Sequence, residues 1–483
     1  MSAETKQASS SASTGMIWSL AWPQLLMMFF HFWIGFVDVY VAGKLNEQVQ
    51  AALGIITQAL FFFLIVAMAL ANGAVSAVSQ SLGGRRPLRA QRYIVLALGL
   101  VFGASLLLAL ISLGIRDLFL DLMQVPAEIR EVTDYFLLVY LLLLPVYYLF
   151  VVSNAVFRAQ KRVHIPLLAM IICTVLNTAG DFGLGLGYWG LPKLGYPGLA
   201  WATFISVACG CLFNLVLLYR AGWLQVSAFP PWRWIKKGLP YLWSVAWPAG
   251  LMQALWQTAF LVLFAITASL PQGRITALAA LTAGLRLESI LFLPAVAFNM
   301  TAAILVGHYL GDGDFAGAKR IGFKTWALGC GLITICGGLL WIWASDLAGL
   351  LSPLPDVQAE IVNYLHFNIL AIPFTATSLI LGGVFIGAGA TRYNMLAIGG
   401  TVWLVRLPLA LILGHYILAR ATGVWAAMLI SQCVQASLML YIFQRWDWYR
   451  FSMQAKKMQK KQAGAKEHAA QLPEPVPDKA GRI

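Results

Sequence analysis

Long apolar runs alternate along this chain with short polar connections rich in Lys and Arg, and that alternation leaves few folds open. Several of the runs exceed the ~20 residues that a helix needs to cross the hydrocarbon core of a bilayer. Within that core no water is available to satisfy backbone N–H and C=O groups. A spanning segment must therefore bond itself as a helix or join a closed barrel. The period-two alternation of barrel strands is missing, so helices are expected. Hydropathy and turn residues place them near 16–41, 51–80, 93–115, 131–156, 165–187, 198–220, 241–269, 276–308, 321–344, 360–387, 394–418 and 423–445. Charged residues make up 11% of the chain, against roughly 25% in soluble domains. The expected fold class is an all-α polytopic membrane protein with twelve transmembrane helices.

A net charge of +14 would ordinarily raise the question of nucleic acid, but the bases are distributed as a topology signal. Alternate loops carry Arg85, Arg86, Arg89 and Arg92; Arg158, Lys161 and Arg162; Arg220, Arg233, Lys236 and Lys237; Lys319, Arg320 and Lys324; and Arg392. The opposite loops hold isolated bases such as Lys44, Arg116, Lys193, Arg274 and Arg420. Both termini are thus expected on the cytoplasmic side of a bacterial inner membrane, with anionic lipid as a further contact of the basic loops. Residues 1–15 read as a polar, disordered N-terminus without the pattern of a cleavable signal, and 446–483 as a cytoplasmic tail, disordered at least from Lys456.

An internal repeat is visible by inspection. Trp18-Ser19-Leu20-Ala21-Trp22-Pro23 returns as Trp243-Ser244-Val245-Ala246-Trp247-Pro248. Ala90-Gln91-Arg92 returns as Ala318-Lys319-Arg320, and Gly198-Leu199-Ala200-Trp201-Ala202 as Gly423-Val424-Trp425-Ala426-Ala427. The offset stays between 225 and 228 residues, and the matches keep their order. Each half holds an even number of helices, so both start from the same side and the repeat is parallel. Two pseudo-symmetric six-helix lobes are expected, 16–220 and 241–445, enclosing a central cavity. The crossover 221–240 contains Pro230-Pro231 and several bases, and reads as lying on the membrane surface through Trp223, Trp232 and Trp234.

Ionisable groups inside spans are costly and few, so each can be weighed. Asp38 lies near the outer end of the first helix. Asn177 and Asp181 stand four apart on one face of the fifth, and Thr203 near the outer start of the sixth. All four fall at similar depth in the first lobe. Two carboxylates, an amide and a hydroxyl can make an oxygen-rich Na⁺ site. They can equally hold one carboxylate protonated, because close carboxylates in low dielectric do not both ionise easily. A third reading leaves Asp38 and Asp181 as interfacial acids wetted near the headgroups. The second half has no acid at the repeat-related positions; Leu263 and its apolar neighbours stand opposite Asp38.

In the second half, Glu288 on the eighth helix and Arg406 on the eleventh lie at matching depth, as a structural ion pair or as cavity-lining groups. Arg286, two residues from Glu288, points elsewhere. Pro23 and Pro248 occupy equivalent places in the first and seventh helices, as helix-start turns or as hinges. His31 and His308 read as packed or interfacial. Trp18, Trp22, Trp33 and Trp256 fit interfacial belts and packing, with cation–π contacts as a further use. The six cysteines lie in apolar segments without metal-ligand spacing and read as small buried hydrophobes. No catalytic cluster and no Gly-rich phosphate loop is present, so neither an enzyme nor a nucleotide-driven machine is expected, and an ion gradient remains as the energy source.

With these residues in view, the chain resembles the multidrug and toxic compound extrusion (MATE) transporters over about 16–445. The shared features are the paired Ala-Trp-Pro starts, Val37-Asp38, and the helix ends Gln80-Ser81-Leu82-Gly83 and Gly307-His308-Tyr309-Leu310-Gly311. To these are added Gly198-Leu199-Ala200-Trp201-Ala202-Thr203 and Phe385-Ile386-Gly387-Ala388-Gly389-Ala390-Thr391-Arg392. The resemblance implies a V-shaped pair of lobes exporting amphipathic, often cationic drugs in exchange for Na⁺ or H⁺ by alternating access, as a monomer without a cofactor. It is greatest to the DNA-damage-inducible (DinF-like) branch. That branch implies a cation network at Asp38, Asn177, Asp181 and Thr203 and a bending proline at Pro23. The norfloxacin-exporter-like branch carries further carboxylates on its seventh and tenth helices. Here 241–269 and 360–387 lack a mid-span acid, Glu360 stands only at the edge, and Glu288 is the remaining candidate in that lobe. The competing cargo is a lipid-linked oligosaccharide flipped across the membrane. It would require several cavity bases for pyrophosphate, and only Arg286 and Arg406 are candidates.

Overall fold

The computed structural model describes residues 3–225 and 229–459. Among these, twelve helices are long and apolar enough to cross a membrane. They are α1 (Ala3–Leu45), α2 (Glu47–Gly83), α3 (Pro87–Gly114), α4 (Ala127–Ala159), α5 (His164–Gly185), α6 (Tyr196–Arg220), α7 (Trp232–Ala268), α8 (Arg274–Asp312), α9 (Phe315–Ile342), α10 (Pro355–Ala388), α11 (Thr391–Ile417) and α12 (Ala421–Arg445). Short helices Arg116–Leu122 and Ala344–Leu351 follow α3 and α9, repeat-related to one another. Two helices carry π-helical turns, at Asp181–Gly185 in α5 and at Met395–Gly399, Val402–Arg406 and Ile412–Ile417 in α11. Such turns re-aim side chains and recur at functional sites.

Two apolar cores form, one mainly from α1–α6 and one mainly from α7–α12. Their membership crosses over at the repeated Trp-Ser-x-Ala-Trp-Pro motifs. Ile17, Leu20 and Ala21 at the start of α1 belong to the second core, while Tyr241, Leu242, Val245 and Ala246 at the start of α7 belong to the first. Pro23 and Pro248 are both buried, each inside an unbroken helix.

The lobes meet at the end that carries the basic loops. A Cβ built on Gly83 would stand 2.0 Å from the His308 carbonyl oxygen, and one on Gly311 would stand 2.3 Å from the Gln80 carbonyl oxygen. Glycine at these positions lets α2 and α8 touch backbone to backbone, as small residues do at membrane helix crossings. Hydrogen bonds surround this crossing. Gln80 Nε2 donates to Gly387 O (2.8 Å), Gln24 Nε2 to Thr301 Oγ1 (2.9 Å), and the His308 ring nitrogen Nε2 lies 2.9 Å from Ala159 O. Ser76 Oγ and Tyr241 OH are 3.0 Å apart. Asp38, Asn177 and Asp181 lie toward the other end of their helices, away from this contact.

Order extends beyond the expected limits in three places. Helix α1 starts at Ala3, so the segment before residue 16 continues the first helix. Helix α7 starts at Trp232, well inside the expected crossover, because Trp234 packs on Tyr93 with ring centroids 4.9 Å apart. Residues 226–228 of that crossover lie outside the described residues.

The expected disordered tail, finally, begins with a packed segment. Trp448 is 1% exposed, its ring stacks on Phe443 at 5.6 Å, and its Nε1 donates to Phe443 O at 3.0 Å. The Met453 N–H donates to Gln80 Oε1 at 2.8 Å, which ties this segment to the first lobe. Aromatic residues, rather than the Lys-rich composition further on, decide its structure. The remainder of the expected tail, 460–483, lies outside the described residues. Replacing a fully buried Trp by Ala typically costs about 3–5 kcal/mol. Trp448→Ala is therefore expected to lower the melting temperature of the purified protein clearly, and an unchanged melting curve would show that this packing is not used.

Candidate functional site

Four sequence-marked residues converge between α1, α5 and α6. Asn177 and Asp181 are fully buried on α5, while Asp38 on α1 is half-buried. The Asn177 amide nitrogen Nδ2 donates to Asp38 Oδ1 (3.2 Å) and to Thr203 Oγ1 (3.3 Å), joining three helices through one side chain. Thr203 Oγ1 in turn donates to Leu199 O (3.2 Å). Close packing makes this possible: a Cβ on Gly180 would stand 2.6 Å from the Ala202 Cβ, so α5 and α6 approach at the depth of the site. Asp181 opens the π-helical turn of α5 and its carboxyl adjoins that of Asp38.

The hydrogen-bond inventory of this cluster is unbalanced. Both carboxylate oxygens of Asp181 and the Oδ1 of Asn177 are buried without a hydrogen-bond partner. Buried polar atoms are almost always satisfied, and leaving a carboxylate unsatisfied is expensive. Three unmet acceptors in one place suit a cation or a proton. Tyr140, buried on α4, faces Thr203 and the two carboxyls. It was not legible in the sequence, since one Tyr among many aromatic residues of an apolar helix carries no distinguishing signal. Beside the cluster, a broadly open recess of about 470 Å³ lies between α1 and α5, with Phe29, Trp33, Val175 and Trp189 exposed along it. Phe29, Phe30, Trp33, Val175 and Trp189 give it an apolar, aromatic wall.

Other expectations resolve individually. Gln24, next to Pro23, is buried and donates to Leu20 O (2.8 Å), beside its bond to Thr301 across the lobes. His31 is exposed, whereas His308 belongs to the lobe contact. Trp18 and Trp22 are exposed and Trp33 lines the recess just described.

Glu288 and Arg406 come together, but not as the direct ion pair expected as one reading. Each has a neutral partner instead: Glu288 Oε2 accepts from Tyr364 OH (2.8 Å), and Arg406 Nε donates to Ser431 Oγ (2.9 Å). The cause is local geometry. Arg406 closes a π-helical turn of α11, which aims it at α12 and over the Trp256 ring, 5.2 Å from the centroid. Both residues line one cavity of about 200 Å³. Arg286 is exposed and does not line it. Glu360 accepts from Trp425 Nε1 (2.6 Å) and Asn363 Nδ2 (3.1 Å), a structural role at the edge of α10.

Comparison with known proteins agrees with this architecture. The MatE family profile matches residues 23–182 and 248–412, one segment in each repeat. The chain is 23% identical over 435 residues to the uncharacterized transporter YisQ of Bacillus subtilis, an alignment spanning 90% of this chain and 94% of YisQ. It is 22% identical over 426 residues to a probable multidrug resistance protein NorM of Thermotoga maritima, over 86% of this chain and 88% of that one. Among solved structures, a mutant of the Vibrio cholerae MATE transporter VcmN superposes with a TM-score of 0.83 at 18% identity, covering 92% of this chain and 99% of that one. That transporter has the MATE fold of twelve helices in a V-shaped pair of lobes, and this chain shares it. A profile match that covers most of both repeats, on a chain of twelve spanning helices, establishes that this protein is a multi-pass membrane transporter, not an enzyme, and belongs to the MatE family.

Proposed function

We propose that the protein exports amphipathic, often cationic compounds in exchange for Na⁺ or H⁺, with the coupling cation bound at Asp38, Asn177, Asp181 and Thr203. The observation that carries this reading is the set of unpartnered buried acceptors on Asp181 and Asn177 beside the Asp38 carboxyl. A bound cation or proton satisfies them; without one, the buried charge disfavours the compact first lobe. Occupancy can therefore shift the equilibrium between lobe arrangements, provided that the site differs in affinity between them. The contact at Gly83 and Gly311 supplies the other half of the cycle. It closes the end bearing the basic loops, which the distribution of bases assigns to the cytoplasm. In that orientation the arrangement described is sealed on its cytoplasmic side, and release of cargo would have to proceed from the opposite side. Pro23 is the bending point of α1 in this scheme. The aromatic recess between α1 and α5 suits the apolar body of a drug-like guest.

The test is efflux of a fluorescent cation from proteoliposomes, driven separately by a Na⁺ gradient and by a pH gradient. One of the two is expected to drive export well above the rate without a gradient. Equal rates under all three conditions would overturn cation coupling.

A further inference from the structure

The cavity of about 200 Å³ in the second lobe is bounded by α7, α8, α11 and α12, and its chemistry is unlike that of the first-lobe site. Arg406 is 2% exposed, and its Nη2 has no hydrogen-bond partner. Gln432 is 6% exposed, and its Oε1 is likewise unpartnered. Glu288 lines the same space with one carboxylate oxygen held by Tyr364. The carboxylate and the guanidinium therefore stand apart, each anchored from behind by a hydroxyl, with a free donor and free acceptors around one small volume. The remaining wall is aromatic, formed by Trp256, Phe260 and Phe292.

A charge pair that is held apart is complementary to a molecule carrying both charges. A purely cationic guest would leave Arg406 uncompensated, and a purely anionic one would oppose Glu288. The volume is below the roughly 300 Å³ at which drug-sized sites begin, so it suits a single aromatic group with its head rather than a large amphipath. We propose that this second-lobe cavity binds small aromatic zwitterions. Their carboxylate sits on Arg406, their ammonium lies between Glu288 and Gln432, and their ring rests against Trp256 and Phe260. The inference goes beyond cation-coupled export and involves none of the first-lobe residues. Binding at equilibrium without a gradient tests it independently of coupling.

Three indole probes separate the charges: tryptophan carries both, tryptamine lacks the carboxylate, and indole-3-propionate lacks the amine. Radiolabelled tryptophan is bound to the purified full chain and displaced by each unlabelled compound. Sites built to hydrogen-bond a group reject analogues that lack it, so tryptophan is expected to compete at least about tenfold better than either analogue. Arg406→Gln is expected to erase the preference over tryptamine, and Arg406→Lys to retain part of it. Glu288→Gln is expected to erase the preference over indole-3-propionate. Absence of saturable tryptophan binding to the wild type, or equal competition by all three compounds, overturns the proposal. Those two outcomes are read on the wild type alone, whatever the folding of the variants.

Discussion

Asp38→Asn is expected to abolish gradient-driven efflux while leaving folded protein in the membrane. Asparagine has the shape of aspartate and keeps an oxygen that can accept from the Asn177 amide, so the bridge from α1 through Asn177 to Thr203 can persist. The variant removes the charge. In the proposed cycle that charge, together with Asp181, makes cation or proton occupancy count, because a neutral site gains little from an added cation. Gradient-driven export in proteoliposomes should fall at least about tenfold, as expected when a functional intramembrane acid is neutralised. The melting temperature should hold or rise, since the amide keeps the bond from Asn177 while the like-charge repulsion with the adjoining Asp181 carboxyl is removed. Wild-type export by Asp38→Asn would remove this residue from the mechanism. A collapsed melting temperature would instead assign it a structural role.

The second large effect is expected at the contact between lobes. Gly83→Ala places a Cβ 2.0 Å from the His308 carbonyl oxygen, where backbone rather than a flexible side chain must yield. Overpacking of this kind costs about 1–3 kcal/mol. Here the strain has an outlet, since separating α2 from α8 relieves it. The variant should therefore populate lobe arrangements that are open at the basic end, lose efflux, and melt at lower temperature. Gly99→Ala is the matched control, because a Cβ there meets nothing within 4 Å. It should transport and melt like the wild type or slightly better, alanine being the stronger helix former. Equal behaviour of the two variants would mean that the close crossing of α2 and α8 contributes nothing to the cycle.

The sequence disclosed much of this site because helical geometry is regular. Asn177 and Asp181 share a face by spacing alone, and counting residues from the helix ends puts Asp38 and Thr203 at the same depth. The structure joins Asp38, Asn177 and Thr203 by hydrogen bonds. Counting has less to say where helices depart from the α-helical repeat. The π-helical turn ending at Arg406 swings its guanidinium to Ser431 and Trp256, so depth matching found Glu288 and Arg406 together but did not reveal that each is anchored elsewhere. Tyr140 and Tyr364 were invisible because an aromatic residue in an apolar helix is the ordinary case. The ordered turn at Trp448 was masked by the charged composition that follows it, although four aromatic residues between 446 and 451 supply ample apolar surface.

The exchange of helix starts between the two cores has a consequence for how such a chain can be built. The beginning of α1 enters the second core and packs against α8, while the beginning of α7 enters the first core and packs against α2. Under the repeat, the first of these contacts is converted into the second, and the crossing of α2 with α8 is converted into itself. An interface whose helix pairings are exchanged with one another by a two-fold rotation is isologous, the kind that two identical subunits make about a two-fold axis. The lobes are thus joined as a swapped homodimer would be, each lending the other its first helical turns. A six-helix ancestor could have formed this assembly before any linker existed. The present differences, acids at Asp38 and Asp181 in one lobe and a split charge pair at Glu288 and Arg406 in the other, are then specialisations written onto two copies of one subunit.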